Sequence, residues 1–287
     1  MIGRRKLTVS KPLELLGFLG IFIVGYSIGI FSTTQTKLPE LKSDKTPHHS
    51  RFRTECGPRI PPSEIRPMLL RKIYNNITPY ENFPPPHVAP ALLTRRVRGW
   101  GSTATVFSEL VESIQPKTII EVGTFLGASA LHMANLTRDL DTVILCLDDF
   151  RGWPGFRELY NGMFKHLVDI NGDVILMQQF IQNVLDAGEE KRVLPVPFST
   201  GSALAAFCEW GVYADLVEVD AGHDFHSAWA DINLAWPLVA HGGVMFGHDY
   251  NLAVDDYGVR RAIILFADEK GLKVQPHGQH WVLPPKK

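Results

Sequence analysis

The chain has 287 residues, 45% of them hydrophobic and 21% charged, with a formal net charge of −1. That length and apolar content allow one large domain with appendages. The near-neutral balance removes the electrostatic case for nucleic acid as a partner.

Leu15 to Phe31 is uncharged and almost wholly apolar, with no polar face for a soluble helix to present to water. Widened to 13–32 it reaches the roughly 20 residues that a bilayer span requires. Arg4, Arg5, Lys6 and Lys11 precede it, whereas Lys37, Glu40, Lys42, Asp44 and Lys45 follow as a mixed set. The positive-inside rule then keeps residues 1–12 in the cytoplasm and sends the remainder into a lumen, as in a single-pass type II protein of the Golgi or endoplasmic reticulum. The Phe31-Ser32-Thr33-Thr34 stretch is a poor cleavage site, which favours an uncleaved signal anchor. Gly25-x-x-x-Gly29 is a pattern through which two spans can pack, so a homodimer belongs among the expectations. Asn76-Ile77-Thr78 and Asn135-Leu136-Thr137 are glycosylation sequons.

Residues 33–91 are rich in proline, including Pro61-Pro62 and Pro84-Pro85-Pro86, and read as a stalk with one short helix near Glu64 to Ile73. The folded domain is expected over 92–287. Of the three cysteines, Cys146 stands in an apolar run and Cys208 beside Phe207, so both read as core thiols. A bridge from Cys56 in an oxidising compartment is the lesser reading.

Beyond residue 100 short apolar runs alternate with amphipathic segments. Helix 103–114 is followed by strand 118–122, helix 128–134 and strand 142–147. A long aromatic insert over 149–173 reads equally as a lid or acceptor wall and as an elaboration that only packs. A helix at 174–185, strand 192–196, helix 203–210, strand 216–219, helix 226–238, strand 243–246, helix 259–268 and a hairpin over 272–283 complete the set. Strands alternating with helices predict an α/β fold, a doubly wound and mostly parallel seven-stranded sheet covered on both faces. Its ligand site lies outside the carboxyl ends of the strands.

Glu121-Val122-Gly123-Thr124-Phe125-Leu126-Gly127-Ala128-Ser129 joins the first strand to its helix. Gly123 permits a tight turn, Gly127 a close backbone approach to a ligand, and the helix start offers free N–H groups to an anion. A dinucleotide fingerprint would need glycines where Phe125 and Ala128 stand, and a P-loop would need glycine and lysine in place of Ala128 and Ser129. The segment resembles motif I of class I methyltransferases, especially the catechol O-methyltransferase-like group and its cephalosporin-hydroxylase-like and macrocin-type relatives. The resemblance covers about residues 96–284. It implies S-adenosylmethionine (SAM) as cofactor, with Glu121, Gly123, Gly127 and Ser129 at its methionine end and the Gly99-Trp100-Gly101 loop over its carboxylate.

Asp148, closing the second strand, is placed to accept both ribose hydroxyls. Ser199-Thr200-Gly201-Ser202 resembles the adenine-contacting turn of the family, Thr200 being the cofactor residue, and reads equally as a helix cap. Strand four ends in Asp220-Ala221-Gly222-His223-Asp224-Phe225-His226, and strand five in Gly247-His248-Asp249-Tyr250. By the resemblance Asp220 and Asp249 are metal ligands and His223 is the general base. An imidazole titrates where a hydroxyl acceptor must lose its proton. Catechol-type enzymes carry Asp-Asn where this chain has His248-Asp249, so a divalent ion would be held by Asp220, Asp249 and His248, with a softer metal favoured. The expected activity is O-methylation of a small or glycan-like acceptor. The rival is a membrane-anchored scaffold that keeps the fold without turnover.

Overall fold

The computed structural model describes residues 55–94, 97–152, 167 and 174–287. The anchor expected at 13–32, the tail before it and nearly all of the aromatic insert lie outside them. Among the described residues no helix is long and apolar enough to cross a membrane.

Helices α1 (Pro62–Tyr74), α2 (Thr105–Ile114), α3 (Ala128–Leu136), α4 (Leu176–Ala187), α5 (Thr200–Trp210), α6 (Phe225–Ala235) and α7 (Gly258–Lys270) surround strands β1 (Thr118–Val122), β2 (Val143–Leu147), β3 (Val193–Val196), β4 (Ala214–Val219), β5 (Val239–Gly247), β6 (Gln275–His277) and β7 (His280–Val282). The strand order is β3-β2-β1-β4-β5-β7-β6. The first five strands run parallel, and β7 pairs antiparallel with both β5 and β6. The order reverses between β1 and β4, which opens a crevice at their carboxyl ends.

Successive strand residues point to opposite faces, so each strand feeds two cores. Ile120, Val122, Leu145, Val217 and Met245 pack with Leu69, Phe207, Ile232 and Phe266 from α1, α5, α6 and α7. Ile119, Ile144, Leu216 and Phe246 pack with Phe107, Met133 and Phe180 from α2, α3 and α4. Burial on both faces explains why these strands read as continuous apolar runs.

Two expectations need correction. The compact unit begins at Glu55, not near 92. Ile65 and Leu69 of α1 are fully buried, and the hydroxyls of Tyr74 and Tyr80 donate to the carbonyls of Pro195 and Val193 (both 2.8 Å). Residues 55–80 therefore cover the free edge of β3, whose proline is tolerated because nothing pairs beyond it. The short helix expected near Glu64 to Ile73 is α1, and it buries Ile65, Met68 and Leu69 on one face. In addition, Cys208 is no free thiol: it is bonded to Cys56, with Cα atoms 4.5 Å apart. Cys146 is free and buried, as expected.

The bridge closes a loop of 152 residues and ties the edge-covering segment to α5. Its removal by Cys56→Ser lowers stability by about 2–4 kcal/mol, measured as a fall in the urea midpoint. An unchanged midpoint would show that packing alone holds the segment.

Candidate active site

The crevice is built on a close approach. Gly123 ends β1 with φ 87°, and a Cβ there would lie 2.1 Å from the main-chain oxygen of Asp220 at the end of β4. A side chain at 123 would force the two strand ends apart, which is why the turn needs glycine. Asp148 anchors the same turn: one carboxylate oxygen accepts from the amides of Thr124 (3.1 Å) and Phe125 (2.9 Å), and the other from that of Phe150 (2.7 Å). From beneath, the fully buried Glu121 carboxylate accepts from the hydroxyls of Thr124 and Ser129.

The six residues expected at a cofactor thus divide. Gly123 and Asp148 stand at the strand ends, the glycine against Asp220 and the carboxylate with both oxygens accepting from the amides of Thr124, Phe125 and Phe150. Glu121 and Ser129 lie beneath the turn and support it from below. At Gly127 a Cβ would meet the ring of Phe180 at 2.8 Å, so its missing side chain serves packing. Thr200 opens α5 and donates to Asp231 (2.6 Å), while Ser199 caps the helix by accepting from the Ser202 amide. That turn is therefore a helix cap, a role compatible with contact to a cofactor. The Gly99-Trp100-Gly101 loop does border the crevice: Trp100 stands 5.9 Å from the ring of Phe125, and a Cβ on Gly101 would lie 2.5 Å from His248 Nε2.

At the ends of β4 and β5 the acidic and imidazole groups converge. His223 Nε2 lies 2.9 Å from one oxygen of Asp249, and His248 Nδ1 lies 3.1 Å from the other. Asp220 stands 3.8 Å from His248 Nδ1. One ligand atom each from Asp220, His223 and Asp249 falls within 4.8 Å of the others, a set of two carboxylates and one imidazole that suits a divalent cation. His248 is not part of that set, contrary to expectation; it is 7% exposed, hydrogen-bonded to Asp249 and packed 4.6 Å from the ring of His280. His226 does not join the cluster either, and its ring packs edge-on against Phe225.

Sequence reasoning missed His280, Trp281 and Glu218. Trp281 reaches the crevice floor because β7 pairs with β5, and Gly247 is glycine because a Cβ would meet that indole at 2.4 Å. No local spacing signals this contact.

Residues 120–250 match the profile of a family described as a methyltransferase domain. These residues are a methyltransferase domain. None of the curated proteins matches the chain in sequence. Solved structures that resemble it include the O-methyltransferase from Bacillus cereus in complex with SAH, at 18% identity over 78% of this chain and 97% of that one, TM-score 0.47. Another is TomG from Streptomyces achromogenes, an O-methyltransferase involved in tomaymycin synthesis and solved with SAM, at 16% identity over 70% and 86% of the two chains, TM-score 0.49.

The electrostatics of the methyltransferase domain separate its acids. The hydrogen bond to Asp249 holds His223 above the ordinary histidine value. Burial would raise Asp249, but the hydrogen bonds from both histidines prevail and hold it well below the usual carboxylate range. Burial lifts Asp220 to about 6 against the pull of His248. Burial, with the charge on His248, pushes His280 down to about 4, so it stays neutral. Glu121 is lifted to about 7 by burial, opposed by the Ser129 and Thr124 hydroxyls. Glu218 stands beside it in register on β4, nearly inaccessible, and burial together with Glu121 drives it well above its ordinary value.

A carboxyl whose folded pKa is raised binds more proton in the native state, so it loses stability as pH climbs from the ordinary value to the raised one. For Glu121 that window runs from 4.5 to about 7. Melting curves across it will show the wild type losing ground relative to Glu121→Gln as pH rises. A constant difference between the two proteins would mean that Glu121 titrates at its ordinary value in the folded protein.

Proposed function

We propose that the chain is a SAM-dependent O-methyltransferase acting on a small or carbohydrate-like acceptor in the lumen of the secretory pathway. The observation that carries this reading is the His223–Asp249 pair at the strand ends, next to the glycine turn of the methyltransferase domain. The solved neighbours with bound SAM or SAH are in keeping with that donor.

SAM would supply a methyl group on a sulfonium, which passes to the acceptor oxygen while a neutral thioether leaves. The chain's own groups handle the proton and the geometry. Asp249 can only accept, so it takes the Nε2–H of neutral His223 and leaves Nδ1 to receive the acceptor's proton. The resulting imidazolium is stabilised by the same carboxylate. Positioning of acceptor and donor in line supplies much of the remaining rate. A divalent cation held by Asp220, His223 and Asp249 would replace the His223–Asp249 hydrogen bond and would itself lower the acceptor's pKa in place of the imidazole base.

The secretory location draws support from three features. The Cys56–Cys208 bridge belongs to an oxidising compartment. The apolar stretch at 13–32 behind four basic residues reads as a type II anchor. Asn76 of the first sequon is exposed, on a turn after α1, and suits a glycan; in the second, Thr137 is fully buried and bonded to Met133.

Calorimetry with SAM and SAH tests the donor, and methyl transfer to lumenal extracts tests turnover. His223→Ala should lower transfer about 100-fold or more while SAH binding persists; wild-type turnover in the variant would remove His223 as base. Rate should rise with pH through the raised His223 pKa, because only the neutral ring accepts a proton. Asp249→Asn withdraws the group that raises it, so the acid limb of the pH–rate profile should move to lower pH and the maximal rate should fall. A limb that stays in place would uncouple Asp249 from His223.

A further inference from the structure

Asp249 occupies a conformation that non-glycine residues avoid, with φ 59°. The same loop holds three more such residues in succession, Asp255, Asp256 and Tyr257, at φ 49°, 50° and 58°. A left-handed non-glycine residue persists only where its surroundings over-determine it. Here the restraints converge on the two residues that follow. The Tyr250 amide donates to Gln279 O and the Asn251 side chain to Gly278 O, both at 2.9 Å. Arg260, from the first turn of α7, reaches back with Nε to Tyr250 O (2.9 Å) and with a terminal nitrogen to the Asn251 side-chain oxygen. Its guanidinium lies 4.8 Å from the Tyr250 ring centre and 4.6 Å from that of Tyr257.

We propose that Arg260 is a positioning residue, acting through the Tyr250–Asn251 main chain to hold the Asp249 carboxylate between His223 and His248. The proposal rests on the reading of His223–Asp249 as the proton-transfer pair. The alternative is a general brace for the loop, and Arg261 separates the two ideas. Arg261 ties the far end of the same loop, donating to the main-chain oxygens of Asp255 (2.8 Å) and Asp256 (3.0 Å), and has no bond to residues 249–251. A guanidinium fork can bridge two acceptors at once, whereas a lysine ammonium in its place keeps the charge over the rings and loses the fork.

His248 provides a readout that does not depend on turnover. Asp249 can only accept, so His248 carries its proton on Nδ1 as long as that carboxylate stays 3.1 Å away. Long-range proton–nitrogen NMR of the full chain with its disulfide intact, at about pH 9 where the rings are neutral, should show the Nδ1–H form in the wild type and in Arg261→Met. Arg260→Met should show a mixture with the Nε2–H form, and Arg260→Lys, the milder variant, a smaller admixture. In methyl transfer, Arg260→Met should lower kcat about 10- to 100-fold, with the donor KM and the SAH dissociation constant within about twofold of wild type. A pure Nδ1–H form in both Arg260 variants, or an equal shift in Arg261→Met, would overturn the proposal. A wild type that transfers no methyl group would defeat the functional reading instead, leaving the NMR comparison to decide on Arg260.

Discussion

The architecture of the site depends on the contact between Gly123 and the main chain of Asp220. Two parallel strands that are neighbours in the sheet end side by side, and only a residue without a Cβ lets their loops cross at van der Waals distance. That approach joins two pieces of local chemistry that are about a hundred residues apart in the chain. One is the turn carried by Glu121, Thr124 and Asp148; the other is the acid–imidazole group carried by Asp220, His223 and Asp249. Without it there would be a turn and a histidine cluster but no shared crevice.

Charge is managed differently on the two sides of that crevice. Beneath the turn, Glu121 and Glu218 face each other in register, both withdrawn from water, and like charges so placed repel. Proton uptake relieves them, and the hydroxyls of Thr124 and Ser129 satisfy what charge remains on Glu121. Above the strands, Asp249 stays ionised because two imidazoles donate to it. One carboxyl region is thus built to hold a proton and the other, at Asp249, to hold a charge.

The proline-rich segment before the methyltransferase domain also belongs to this physics. An open sheet edge exposes unpaired carbonyls, and the β3 edge is closed by Tyr74 and Tyr80 rather than by a further strand. Arg59 adds an ion pair with Asp215 at 2.9 Å, and the Cys56–Cys208 bond fastens the segment to α5. A stretch whose composition suggests an extended spacer is therefore an integral wall of the fold.

The order of strands and helices was legible in the sequence because it follows from local periodicity: apolar runs buried on both faces, helical spacing between them, and glycine at the first turn. The strand-end motifs holding Asp220, His223 and Asp249 were legible for the same reason, as short patterns tied to the ends of elements. Tertiary structure alone decided that Gly127 faces Phe180, that Thr200 serves Asp231, that His248 is enclosed by Gly101 and His280, and that Cys56 meets Cys208. Each of these is a contact between segments far apart in the chain. Hydrophobic pattern says that a residue is buried, but it carries no information about which distant residue lies against it.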